Sequence, residues 1–135
     1  MATRQNTDYG YEIQKVYLEM MMTDAESFVR AQAVFDPTNF DRRLQEPAKF
    51  LNDYVIEHNA LPTFDIINAA TDAQLKHPGE LMENHYDWLL QDFETFSKHK
   101  ALEAAILKSA DLLESGEYGA CEDLVKKAVQ IGLQK

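Results

Sequence analysis

The sequence predicts an all-α fold, a small globular helical head of about four to five helices followed by a long αα-hairpin. Three observations carry that expectation. Apolar residues recur at helical spacing over most of the chain. Five glycines and four prolines in 135 residues leave long unbroken runs, whereas a sandwich or barrel needs frequent tight turns. No breaker lies between Glu80 and Ser115. A chain of this length suits one domain, with the head over residues 9–80 and the hairpin helices over 81–133.

Ile13, Val16, Tyr17, Met20 and Met21 form one stripe of a first helix over residues 9–22. Thr23 and Glu26 have the spacing of a capping box, which predicts a second helix carrying Phe28, Val29 and Ala33. Pro37 disfavours helical geometry at Asp36, so Phe35 and Phe40 are expected to pin an irregular connection onto the core. Pro47 fits the first turn of a third helix, whose apolar face is Phe50, Leu51, Tyr54 and Val55 and whose end falls near His58. Thr63 is the expected N-cap of a short fourth helix that turns Phe64, Ile67 and Ala70 inward. Pro78-Gly79 then marks the main internal boundary.

Beyond it, Leu81, His85, Trp88, Leu89, Asp92 or Phe93, and Phe96 track one face, and the pattern resumes at Leu102, Ala105, Ile106, Ser109, Leu112 and Leu113. Gly116 suits the left-handed residue that ends a helix. A last amphipathic helix follows through Tyr118, Cys121, Leu124, Val125, Ala128 and Ile131.

Composition narrows the function classes. The balance of 45% apolar and 27% charged residues is that of an ordinary folded domain. A net charge of −10 repels phosphate, so direct nucleic-acid binding by this segment is not expected. The start MATRQNTDYGYEIQ has no apolar run after its arginine, and no stretch reaches the ~18 apolar residues of a membrane span. The single Cys121 cannot form an internal disulfide and reads as a small apolar group in a reducing compartment, which places the chain in the cytoplasm.

The chemical inventory points away from catalysis. The five glycines never form a phosphate-cradling loop, so no cofactor is expected in this segment. His58, His77, His85 and His99 lack metal-ligand spacing, which leaves no expected metal site. Cys121 has no base and orienting group arranged for a nucleophile. Arg42-Arg43 and Lys126-Lys127 are short basic spots without interleaved aromatics, the pattern of a solvated surface. Phe50, Tyr54, Phe64, Trp88, Phe93 and Phe96 sit at helical spacing and are expected to pack the core.

Two segments carry a family resemblance. FLNDYVIEHNALPTFDIINAA, residues 50–70, resembles the N-terminal domain of DnaB-type replicative DNA helicases, phage members above all, with its aromatic helix, Leu61-Pro62-Thr63 turn and short following helix. HYDWLLQDFETFSKHKALEAAILKSADLLESGEYGACEDLVKKAVQIGLQK, residues 85–135, resembles the hairpin of that domain. The resemblance implies a collar that self-associates into dimers or a hexamer and docks primase or a helicase loader in a bacterial or phage-infected cell. It also implies that catalysis, with ATP and Mg, belongs to a motor domain outside these residues.

Surplus apolar surface on two long arms makes Leu102, Ala105, Ile106, Ser109, Leu113, Leu124, Val125 and Ala128 the candidate protein interface. Some of them must close the hairpin itself. The rival expectation is a stand-alone acidic adaptor or inhibitor that meets a basic surface on a replication or transcription protein. A small helical enzyme would need converging titratable groups, and the spacing of these residues supplies none.

Overall fold

The computed structural model describes residues 9–133, with side chains through Gln130. Of the described residues, 77% are helical. Six α-helices run in the order α1 Tyr11–Met21, α2 Ala25–Ala31, α3 Arg42–His58, α4 Phe64–Thr71, α5 Glu83–Glu114 and α6 Tyr118–Leu133, and no strand occurs among the described residues. Helices α1 and α2 and the turns that follow α2 pack on α5, α3 packs on α1 and α4 on α3, and α6 returns along α5 to close a C-terminal hairpin. Ile131, expected on the last helix face, lies outside the described side chains.

The expected α1 stripe is buried or half-buried throughout, with Tyr17 and Met21 fully enclosed. Gln14, a polar residue the apolar pattern passes over, is also buried and acts as a staple. Its Nε2 donates to the Tyr9 carbonyl at 2.7 Å, while its Oε1 accepts from the Asp41 backbone N–H at 2.6 Å. The first helix is thereby tied to the start of the third.

The second helix corrects the expected cap. Asp24, not Thr23, accepts from the Ser27 N–H, at 3.2 Å. Thr23 instead donates to the Met20 carbonyl and shares a 2.6 Å hydrogen bond with the Tyr86 hydroxyl, so it closes α1 and ties it to α5. Phe28 faces the core as expected, whereas Val29 faces solvent, because a helix of only seven residues has a single buried stripe, and Ala33 lies exposed in the 3₁₀ turn that follows the helix. Two short 3₁₀ turns then carry Phe35 and Phe40 inward, with ring centroids 5.4 Å apart.

Helix α3 begins earlier than the Pro47 signal implies. Asp41 caps it, accepting from the Arg43 N–H at 3.0 Å, so Pro47 lies within the helix and buried, not in its first turn. The same carboxylate holds the Arg43 guanidinium at 3.0 and 3.1 Å, and these hydrogen bonds put the Asp41 pKa below its ordinary 3.8. A lowered folded-state pKa adds stability above the unfolded value and loses it as pH falls through the folded one. Asp41→Ala is accordingly expected to cost about 1 kcal/mol at neutral pH, in the usual range for a lost N-cap, with the difference from the parent protein closing below pH 3.8. Urea denaturation of both proteins at several pH values checks it.

The end of α3 at His58 is as expected, with Asn59 in the left-handed conformation that stops it. Thr63 caps α4, accepting from the Ile66 N–H at 3.1 Å. Ile67 is fully buried and Phe64 packs at the core edge, but Ala70 points outward. The connection over residues 72–82 has no helix, yet it is held down. The Asn68 side chain brackets Leu75, donating to its carbonyl at 2.9 Å and accepting from its N–H at 3.0 Å. Glu19 accepts from the Lys76 N–H at 2.8 Å.

The centre of the head is an aromatic cluster: Tyr17, Phe28, Phe35, Phe40, Phe93 and Phe96, all buried. Of the aromatics expected inside, Phe93 and Phe96 are fully buried, Phe50, Phe64 and Trp88 pack half-exposed around the edge, and Tyr54, half-buried, meets Phe50 and His58 on its own helix. Helix α5 therefore belongs to the head over its first half. Its buried side turns by about half a revolution over the nine-residue interval from Phe96 to Ala105, as 100° per residue requires. One side of the helix faces the head and the opposite side faces α6.

Candidate interaction surface on the helical hairpin

The hairpin is closed by a tight turn that the sequence specifies. Gly116 takes φ +80°, and two backbone bonds complete the cap, Gly116 N–H to the Leu113 carbonyl at 3.1 Å and Glu117 N–H to the Leu112 carbonyl at 2.8 Å. That pair of bonds is the Schellman arrangement, which satisfies two carbonyls that a helix end otherwise leaves open. The reversal brings α6 back antiparallel along α5.

The eight expected interface residues divide into three sets by burial. Ala105 and Ala128 are buried between the arms, and their small size permits close helix approach. Leu102, Ser109 and Leu124 are half-buried at the seam, where the Cys121 thiol meets the Ser109 carbonyl at 3.6 Å. Ile106, Leu113 and Val125 are 67%, 58% and 45% exposed. Helical spacing puts Ile106 and Leu113 on one flank of α5, next to the seam. It puts Val125, together with Tyr118 at 67% and Val129 at 51% exposure, on the flank of α6 that turns to the same side in an antiparallel pair. The result is a strip of large apolar side chains running from the hairpin tip towards its base.

Tyr118 was expected on the α6 face but not in the interface, and Val129 in neither. The signal for both was available: each sits one helical step off the Ala128 line, where a hairpin that needed no partner would carry charge. Leu107, 67% exposed, lies on the other side of α5 and is not part of the strip.

The chemistry at this surface is that of packing. No group of three or more His, Cys, Asp or Glu side chains that could hold a metal ion occurs among the described residues. The outer border on α6 carries both charges, with Lys126 to Glu122 at 3.3 Å. No described helix is long and apolar enough to cross a membrane.

Inside the seam the Ser109 hydroxyl is buried without a hydrogen bond to another protein group. Removing such a hydroxyl removes a desolvation cost and little else. Ser109→Ala is therefore expected to leave stability unchanged or raise it by up to ~1 kcal/mol, read as the midpoint of chemical denaturation. A loss above ~1 kcal/mol would assign the hydroxyl a partner.

Compared with protein-family models, curated proteins and solved structures, the chain matches none. The helical hairpin and its apolar strip define the class of this protein as an all-α domain that carries exposed large apolar side chains along one side of a C-terminal hairpin.

Proposed function

We propose that this chain is an assembly domain whose hairpin strip packs against the same strip of a second copy, and that it serves as the N-terminal collar of a DnaB-type replicative helicase. The observation that carries the self-association is the grouping of Ile106, Leu113, Tyr118, Val125 and Val129, all large, apolar and around half exposed or more, on one side of the hairpin. Their exposed area is on the order of 500 Å², the upper range for patches on a monomer. Two copies joined strip to strip bury on the order of 1,000 Å² from these side chains alone, near the size at which specific interfaces begin. The mixed charges at the α6 border suit an isologous contact, since Lys126 of one copy can meet Glu122 of another.

The helicase part of the reading rests on the resemblance of residues 50–70 and 85–135. In that setting the collar steadies a hexameric ring and docks primase or a loader. The acidic-adaptor reading draws on the −10 charge. The two separate on the reading frame: continuation into a GxxxxGK[ST] motif establishes the helicase, whereas termination at Lys135 favours the adaptor. The direct test of self-association is the mass by light scattering over a concentration series, where dimers or hexamers are expected and a strict monomer at high concentration overturns the hairpin contact.

A further inference from the structure

The head carries a second apolar feature that the hairpin reading does not use. A groove of about 390 Å³ lies between α1, the held-down connection and the start of α5, lined by Val16, Met20, Pro78, Leu81, His85 and Trp88 among others. Its walls are fixed from several directions. Glu19, next to Met20, holds the backbone of Lys76; the His77 ring lies tilted against Phe64, centroids 5.7 Å apart; and His85 Nδ1 accepts from the Met82 N–H at 2.9 Å. Below the groove, Tyr17 ties α1 to α5 through its hydrogen bond to Asp92. A pocket of this size with a preformed apolar lining suits one or two large apolar side chains.

The charges around it restrict what can bring those side chains. On the three stretches that supply the lining, the charged residues within two positions of a lining residue are Glu19, Glu80, Glu83 and Asp87, against Lys15 and Lys76. The whole chain adds a field of net charge −10, which favours cationic partners and slows anionic ones.

We propose that this groove is a docking site for a basic amphipathic segment of another protein, which inserts an aliphatic or aromatic anchor against Trp88 while its lysines or arginines face the acidic rim. Helix-in-groove recognition of this kind needs an apolar anchor and a charge pattern, and both halves of the match are present on this surface. The site is independent of the hairpin strip: Trp88 and Ile106 stand about 27 Å apart along α5 at its rise per residue.

Trp88 is the one tryptophan of the chain, so its emission reports on the groove directly. The experiment titrates the full chain with a synthetic amphipathic helix of about 14 leucines and lysines. A saturable blue shift in the micromolar range is expected, weakening roughly tenfold between ~0.05 and ~0.3 M salt. Leu81→Glu is expected to abolish it. The exposed pair Glu80→Lys and Glu83→Lys, which touches no packing, is expected to weaken it at least fivefold, while Ile106→Asp leaves it unchanged. Equal binding of a leucine–glutamate or leucine–glutamine peptide overturns the basic partner. A blue shift on concentrating the protein alone assigns the groove to a second copy and overturns the proposal, as does no response up to ~1 mM peptide.

Discussion

Phe93→Ala is expected to remove about 3–5 kcal/mol of stability, the range for deleting a buried aromatic ring, and to leave the head only partly folded at physiological temperature. The ring is 1% exposed and sits at the junction of the core. Its centroid lies 5.5 Å from Tyr17, 5.8 Å from Phe35 and Phe96, and 6.0 Å from Phe40, so one substitution loosens contacts from α1, both 3₁₀ turns and α5 together. The Tyr17 contact is edge-on, the favourable aromatic geometry, and adds to the area lost. Thermal unfolding by far-ultraviolet circular dichroism checks it, with a fall in Tm of roughly 10–20 °C expected for a domain of this size. A fall under ~3 °C would mean that the neighbouring rings collapse into the space.

The residues of the core show how far the sequence could be read. Elements specified by local chemistry were legible: the α1 stripe, the Thr63 cap, the left-handed Gly116 and the Phe35–Phe40 clamp follow from residue type and spacing over a few positions. Errors arose where two local signals competed. Thr23 and Asp24 both can cap a helix, and the longer-range bond from Thr23 to Tyr86 decided between them. Pro47 is tolerated inside α3 because the Asp41 cap and the burial of Leu44, Ala48 and Leu51 on either side of it outweigh the lost hydrogen bond.

Helix α5 was the hardest to read for a different reason. Its two halves bury opposite sides, Phe93 and Phe96 towards the head and Ala105 towards α6, so no single stripe describes it. The interface prediction inherited that difficulty. It named the seam residues Ala105 and Ala128 together with the exposed Ile106, Leu113 and Val125, because spacing alone locates an apolar arc without telling which edge a neighbouring helix covers. Burial separates them: the seam is occupied, and the flank is open.

That separation makes the hairpin hypothesis testable with a folded protein. Ile106→Asp is expected to leave the monomer intact, changing stability by about 0.5 kcal/mol, since the side chain is 67% exposed and Asp is only a modestly poorer helix former than Ile. Self-association responds very differently. A two-fold contact counts the substitution twice, and each copy both loses an apolar anchor and places a carboxylate against the partner's apolar strip. The combined effect is expected to weaken the dimer at least 100-fold, about 2.7 kcal/mol. Val129→Asp, on the opposite arm but the same flank, should act in the same way, whereas Leu107→Asp, equally exposed but facing away, should have no effect on mass. Light scattering and sedimentation over a concentration series distinguish these outcomes. If Leu107→Asp dissociates the assembly and Ile106→Asp does not, the contact lies on the other side of α5 and the strip is not the interface.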